Sequence, residues 1–215
     1  LESEEVTELV CKFLNALLEN VTVPVQNEAS YDEDEFARYR LVSSKVLGRI
    51  IGISLSEPGV GGADDEITKD TVPESVLSTQ RLRDYVREDI FPKLKAAAFG
   101  ITEGCSGDRY DRMALATVCS SSPPLASSVV GAHLEALRDT LREGTASQSS
   151  RQRLEALSYI LRSCEGDNAI RAFHDSEIVD GVIELLCNDL THSASTELDA
   201  ISQVALSATH GRKET

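Results

Sequence analysis

RLEALSYILRSCEGDNAIRAFHDSEIVDGVIELL, residues 153–186, is the stretch on which the reading of this chain turns. Leu154, Leu157, Ile160, Leu161 and Cys164 recur at helical spacing, which lays one apolar stripe along a helix. Glu165-Gly166-Asp167-Asn168 interrupts the stripe with turn-forming residues. Ala169 to Phe173 predicts a short helix. Asp175-Ser176 offers side-chain oxygens to cap the next one, whose stripe is Ile178, Val182, Leu185 and Leu186. The unit reads as a long helix, a short helix and a longer helix.

Part of this unit recurs. Ala114-Leu115-Ala116-Thr117-Val118 returns as Ala156-Leu157-Ser158-Tyr159-Ile160 and as Ala200-Ile201-Ser202-Gln203-Val204. The copies start 156 − 114 = 42 and 200 − 156 = 44 residues apart. A period of roughly 40–47 residues belongs to stacked helical repeats, in which each unit has an apolar face too wide to bury alone and a neighbour completes its core.

With the ALSYIL core, Asn168 in the following loop and the IVDGVIELL helix, residues 153–186 resemble an armadillo repeat. The resemblance runs from about Arg112 to Thr209 and is weak over the first hundred residues. One departure lies between Cys119 and Leu134, where SSSPPLASSVVGAH is too short and too interrupted by proline for the family's middle helix. The resemblance implies an all-α, armadillo/HEAT-like α-solenoid, a right-handed superhelix of stacked helices.

Armadillo proteins that grip extended peptides carry W-A-L-x-N on the helix facing the groove. The two groove slots are here Met113 and Thr117, Glu155 and Tyr159, and Asp199 and Gln203. The Trp/Asn ladder is therefore missing. The i, i+4 spacing still puts each pair on one helix face, and this row is the candidate partner-binding surface. The function implied is a non-catalytic protein–protein interaction scaffold or adaptor. A second reading is a regulator of a nucleotide-binding partner, such as an Hsp70 nucleotide exchange factor, or an exchange factor or chaperone for a GTPase or Gα subunit. A third is an enzyme with a pocket between helices.

The composition fits a helical scaffold. The chain has 215 residues, 41% hydrophobic and 27% charged, with 5% aromatic and no Trp. Its net charge of −15 argues against a nucleic-acid ligand, which needs clustered Lys and Arg, and favours a protein partner with a basic segment. No apolar run is long enough to span a bilayer, so no membrane insertion is expected. The first residue is Leu rather than Met, as in a piece of a longer protein. Five cysteines without a C-x-x-C pair suit a reducing compartment, cytoplasmic or nuclear, and Cys11, Cys164 and Cys187 fall within apolar helix patterns.

Taken in order, residues 1–55 predict two helices, Val6 to Val21 and Phe36 to Ile53, paired antiparallel across a polar connection. Residues 56–73, SEPGVGGADDEITKDTVP, predict a mobile loop. Its Gly59-Val60-Gly61-Gly62 lacks the G-K-[ST] of a phosphate-binding loop. Residues 74–104 return to helix, with a kink or break expected at Pro92. Residues 105–215 carry the repeats, and the whole is one α-helical domain. The sequence offers no catalytic constellation, metal motif or cofactor site. Cys164 with His174 and Asp175 is the nearest approach to a nucleophile, base and orienter, but Cys164 falls on a core stripe.

Overall fold

The computed structural model describes residues 3–22, 33–56, 79–99, 109–143 and 148–190, and every regular element among them is helical. All but the first residue of the loop at 56–73, the third Ala-centred copy, Asp199 and Gln203 lie outside the described residues.

The first two helices are α1 (Ser3–Thr22) and α2 (Glu33–Leu55). Val10, Leu14, Leu17 and Leu18 of the α1 stripe are buried, whereas Leu9 and Phe13 at its margin face outward. The C-terminal end of α1 meets the N-terminal part of α2 through Arg40. Its guanidinium donates to the Asn20 and Val21 carbonyls (3.1 and 2.7 Å) and stacks over the Tyr110 ring at 4.3 Å. A buried cation thus satisfies carbonyls that the end of α1 leaves open, where the helix dipole favours positive charge.

The next stretch is α3 (Gln80–Tyr85), a π-helical turn (Val86–Ile90) and α4 (Phe91–Ala98), continuous with one another. The break expected at Pro92 does not occur. Proline lacks an N–H, and its ring would collide with the carbonyl four residues earlier. The wider π turn immediately before it accommodates both, so the chain stays helical and buries Leu82, Val86, Ile90 and Leu94 on one side.

The helix α5 (Arg109–Ser121) is followed after one residue by α6 (Pro123–Arg142). Prolines that read as an interruption are in fact the start of a 20-residue helix: Ser122 Oγ accepts from the Leu125 N–H at 3.3 Å, and Pro123 fills a first-turn position where no N–H is needed. The chain closes with α7 (Gln148–Ser163), α8 (Asn168–His174) and α9 (Val179–Leu190), the long, short, longer order read from the sequence. Gly166, at φ 78°, makes the turn between α7 and α8 in the left-handed region that suits glycine. The cap before α9 falls to Ser176, whose Oγ accepts from the Ile178 N–H, while Asp175 ends α8. Cys187, expected within an apolar pattern, is exposed on α9.

The central helix is α5, packed on α2, α4, α6, α7 and α8. Its most extensive contact is with α2. There Gly48 lies against Ala114 and Thr117, and Gly52 against Ser121. On the other contact Arg112 faces Glu155 and Ser120 faces Cys164. In both interfaces residue numbers rise together, so α2, α5 and α7 run in the same direction, with α5 between the other two. The helix α6 covers α5 and α7 from one side and carries α8 and α9. Residues of these helices share one buried cluster, from Leu14 and Leu47 through Leu115 and Leu134 to Leu157 and Ile160. Each such side chain contributes roughly 1.5–3 kcal/mol relative to exposure.

Candidate functional site

Of the row read from the sequence, Met113 and Thr117 lie on α5 and Glu155 and Tyr159 on the neighbouring α7, all four partly exposed. Their surroundings differ. Thr117 Oγ1 donates to the Met113 carbonyl at 3.0 Å, and its Cβ sits beside Gly48 at the crossing with α2. The Glu155 carboxylate is held by Arg151 at 3.0 Å and by Arg112 at 3.7 Å. The negative charge expected at this slot is therefore offset within the chain.

The far ends of α5 and α7 are tied by short polar side chains. Ser120 Oγ accepts from the Glu165 N–H at 2.7 Å and donates to Cys164 Sγ at 3.4 Å. Asn168, the loop asparagine of the repeat pattern, donates through Nδ2 to the Cys119 and Ser120 carbonyls (3.4 and 3.3 Å). It satisfies acceptors that the end of α5 leaves open. Burial pushes the Cys164 thiol above its usual range, opposite to what activates a nucleophile, and pushes Cys119 further still. His174 is exposed on α8 and stands edge-on to Phe173.

At the opposite end lies a group that the sequence gave no reason to assemble. His133 is buried in the middle of α6, and neither ring nitrogen has a hydrogen-bond partner. Phe99, just after α4, packs edge-on against it, and the Arg153 guanidinium sits 5.7 Å over the Phe99 ring. Burial holds His133 well below the usual imidazole range, and the nearby charges of Arg153, Arg112 and Lys95 push the same way. Arg153 Nε and Nη1 and Arg112 Nε are themselves buried without an acceptor. The one available signal was an arginine ahead of each Ala-Leu pair, Arg112 before Ala114 and Arg153 before Ala156.

The chain matches no family model, no curated protein and no solved structure. Among the described residues no group of three or more His, Cys, Asp or Glu side chains converges, and no helix is long and apolar enough to cross a membrane.

Proposed function

We propose that this chain is a non-catalytic protein–protein interaction scaffold, an armadillo/HEAT-like α-solenoid acting in the cytoplasm or nucleus. The observation that carries the reading is the row α2–α5–α7. Three helices of one direction lie side by side, and the second and third are held in register by Arg112–Glu155 and Ser120–Cys164, close to the 42-residue sequence offset. Stacking of this kind yields an extended surface on which neighbouring repeats present matched positions. The partner surface is the row through Met113, Thr117, Glu155 and Tyr159; Asp199 and Gln203 join the proposal by their sequence position alone. Tyr159 is its anchor, because a ring with a polar tip suits a partly wet interface. With Glu155 already paired, attraction for a basic segment comes chiefly from the overall charge of −15.

The test compares the wild-type chain with Tyr159→Ala, both immobilised, by quantitative mass spectrometry of captured proteins and by thermal melts. A partner recovered by wild type should fall at least about tenfold on the variant, with little loss of melting temperature. A variant that melts several degrees lower yet captures the same proteins in the same amounts would remove the row as the binding surface.

A further inference from the structure

We propose that the cluster of basic side chains around His133, at the end of α4, the middle of α6 and the N-terminal halves of α5 and α7, binds a small oxyanion of the phosphate class. The site meets the protein-binding row only through the Arg112–Glu155 pair and does not depend on that reading. Its residues come from separate elements: Lys95 and Phe99 from α4 and its end, Arg112 from α5, His133 from α6 and Arg153 from α7.

Two observations point to a ligand. The first is unused donors. Arg153 Nε and Nη1 and Arg112 Nε are buried without acceptors, and His133, with 1% of its surface exposed, has both nitrogens unpartnered. A buried donor left alone loses its hydration without recompense, and a charged one loses most. Several in one place call for a shared acceptor. The second is charge. Arg153 stands over the Phe99 ring that packs on His133, and the charges of Arg112 and Lys95, the latter above Phe91, also act on the imidazole, in a protein whose net charge is −15. Of the carboxylates on the same elements, Glu155 reaches Arg112 through Nη2 rather than Nε and is shared with Arg151, and Asp111, fully buried in the first turn of α5, accepts the backbone N–H of Arg112 through Oδ1 at 2.9 Å.

The geometry also selects the ligand. Donors carried by three different helices suit a tetrahedral group, and arginine pairs with phosphate through two parallel N–H groups. The N-termini of α5 and α7 lie at the same end of two parallel helices, adding partial positive charge. With the Arg112 side chain only 13% exposed, the cluster suits a small ion rather than the backbone of a polymer. A neutral imidazole contributes one N–H donor and remains an acceptor at its other nitrogen, so it takes a partly protonated phosphate as well as a dianion.

The experiment is calorimetric titration of the intact chain with inorganic phosphate and, separately, with phosphoserine, against sodium chloride at matched ionic strength. NMR follows the His133 ring protons. We expect one phosphate per chain, a shift of the His133 resonances on binding, and affinity reduced at least about tenfold by Arg153→Met and by Lys95→Met, as for loss of a charge-assisted hydrogen bond. Phosphoserine binding as tightly as phosphate would place the phosphate group on an organic carrier. Phosphate alone would mean a site closed around the free ion. Because Arg153→Met could unsettle α7, its thermal melt is recorded alongside, and Lys12→Met, which removes an exposed cation of α1, serves as the control that keeps wild-type affinity. Phosphate binding no better than chloride, or equal in wild type, Arg153→Met and Lys95→Met, overturns the proposal, as does an unmoved His133 signal.

Discussion

His133 shows what one residue in this protein can report. It occupies a core position of α6, on the same face as Val129, Val130, Leu134 and Leu137, all buried. Its neutral form is strongly preferred in the fold, first because charging it would desolvate an ion, then because Arg153, Arg112 and Lys95 stand near. In the unfolded chain it titrates near 6.5. The depressed folded value makes the sign definite: stability from this group is complete above pH ~6.5 and is lost as pH falls toward the folded value, because only the unfolded state takes the proton. In phosphate-free buffer, wild type should therefore lose stability relative to His133→Leu on going from pH 8 to pH 5, by up to about 1.4 kcal/mol per pH unit. Urea melts of both proteins across that range provide the check, and parallel profiles would refute it.

At the scale of elements, the crossing of α2 on α5 depends on what is missing from α2. Ser44, Gly48 and Gly52 repeat every four residues and form a low ridge, so the backbone of α5 can approach. A Cβ on Gly48 would collide with the Ala114 carbonyl and stand 2.7 Å from Thr117 Cβ. A backbone carbonyl inside a helix cannot move aside. Gly48→Ala should destabilise the fold by about 1–3 kcal/mol, even though alanine favours helix by about 1 kcal/mol over glycine. Gly131 in α6 and Gly181 in α9 are the controls, because a Cβ there meets nothing within 4 Å. Gly131→Ala and Gly181→Ala should each stabilise by roughly 0.5–1 kcal/mol. Thermal melts of the three variants decide the matter, and a stabilising Gly48→Ala would mean the crossing is looser than described. Asn168→Ala removes two hydrogen bonds to the end of α5 and should lower stability by about 1–2 kcal/mol in the same assay.

Over the whole molecule, the balance of charge matters more than any one ion pair. The chain carries 21 basic and 36 acidic side chains, so at pH 7 it repels itself. Exposed i, i+4 pairs such as Glu8–Lys12 and Asp89–Lys93 contribute little in water. Screening should help the net repulsion more than it harms these pairs. Melting temperature is expected to rise between about 20 mM and about 300 mM sodium chloride, over which the Debye length falls well below the size of the protein. A melting temperature that drops over that range would show that attractive pairs dominate. The same salt should weaken capture of a basic partner, so stability and partner binding are expected to move in opposite directions.

Local periodicity was enough to place most helices, because an amphipathic stripe is a property of neighbours in the chain: Leu154 to Cys164 and Val6 to Leu18 mark their helices without reference to anything else. The recurring Ala-Leu core likewise made α5 and α7 recognisable as equivalents, and they lie side by side. The place of α2 beside them was not legible. Its VLGRIIG starts 114 − 46 = 68 residues before ALATVCS, outside the 42–44 spacing, because the sequence between them is longer than in the other two copies. Of the kink or break read at Pro92 only the break is absent, and Pro123 was misread as an interruption, for a related reason. A proline's effect depends on whether a π turn precedes it or a capping serine stands before it, and that is settled by the backbone around it. The group around His133 lay furthest from the sequence. Lys95, Phe99, Arg112, His133 and Arg153 span 58 residues from first to last (153 − 95 = 58) on separate elements, and no spacing rule links them. Helices are fixed by contacts within a few residues; the grouping of buried, unpartnered Arg112, His133 and Arg153 nitrogens exists only once α4, α5, α6 and α7 have packed together.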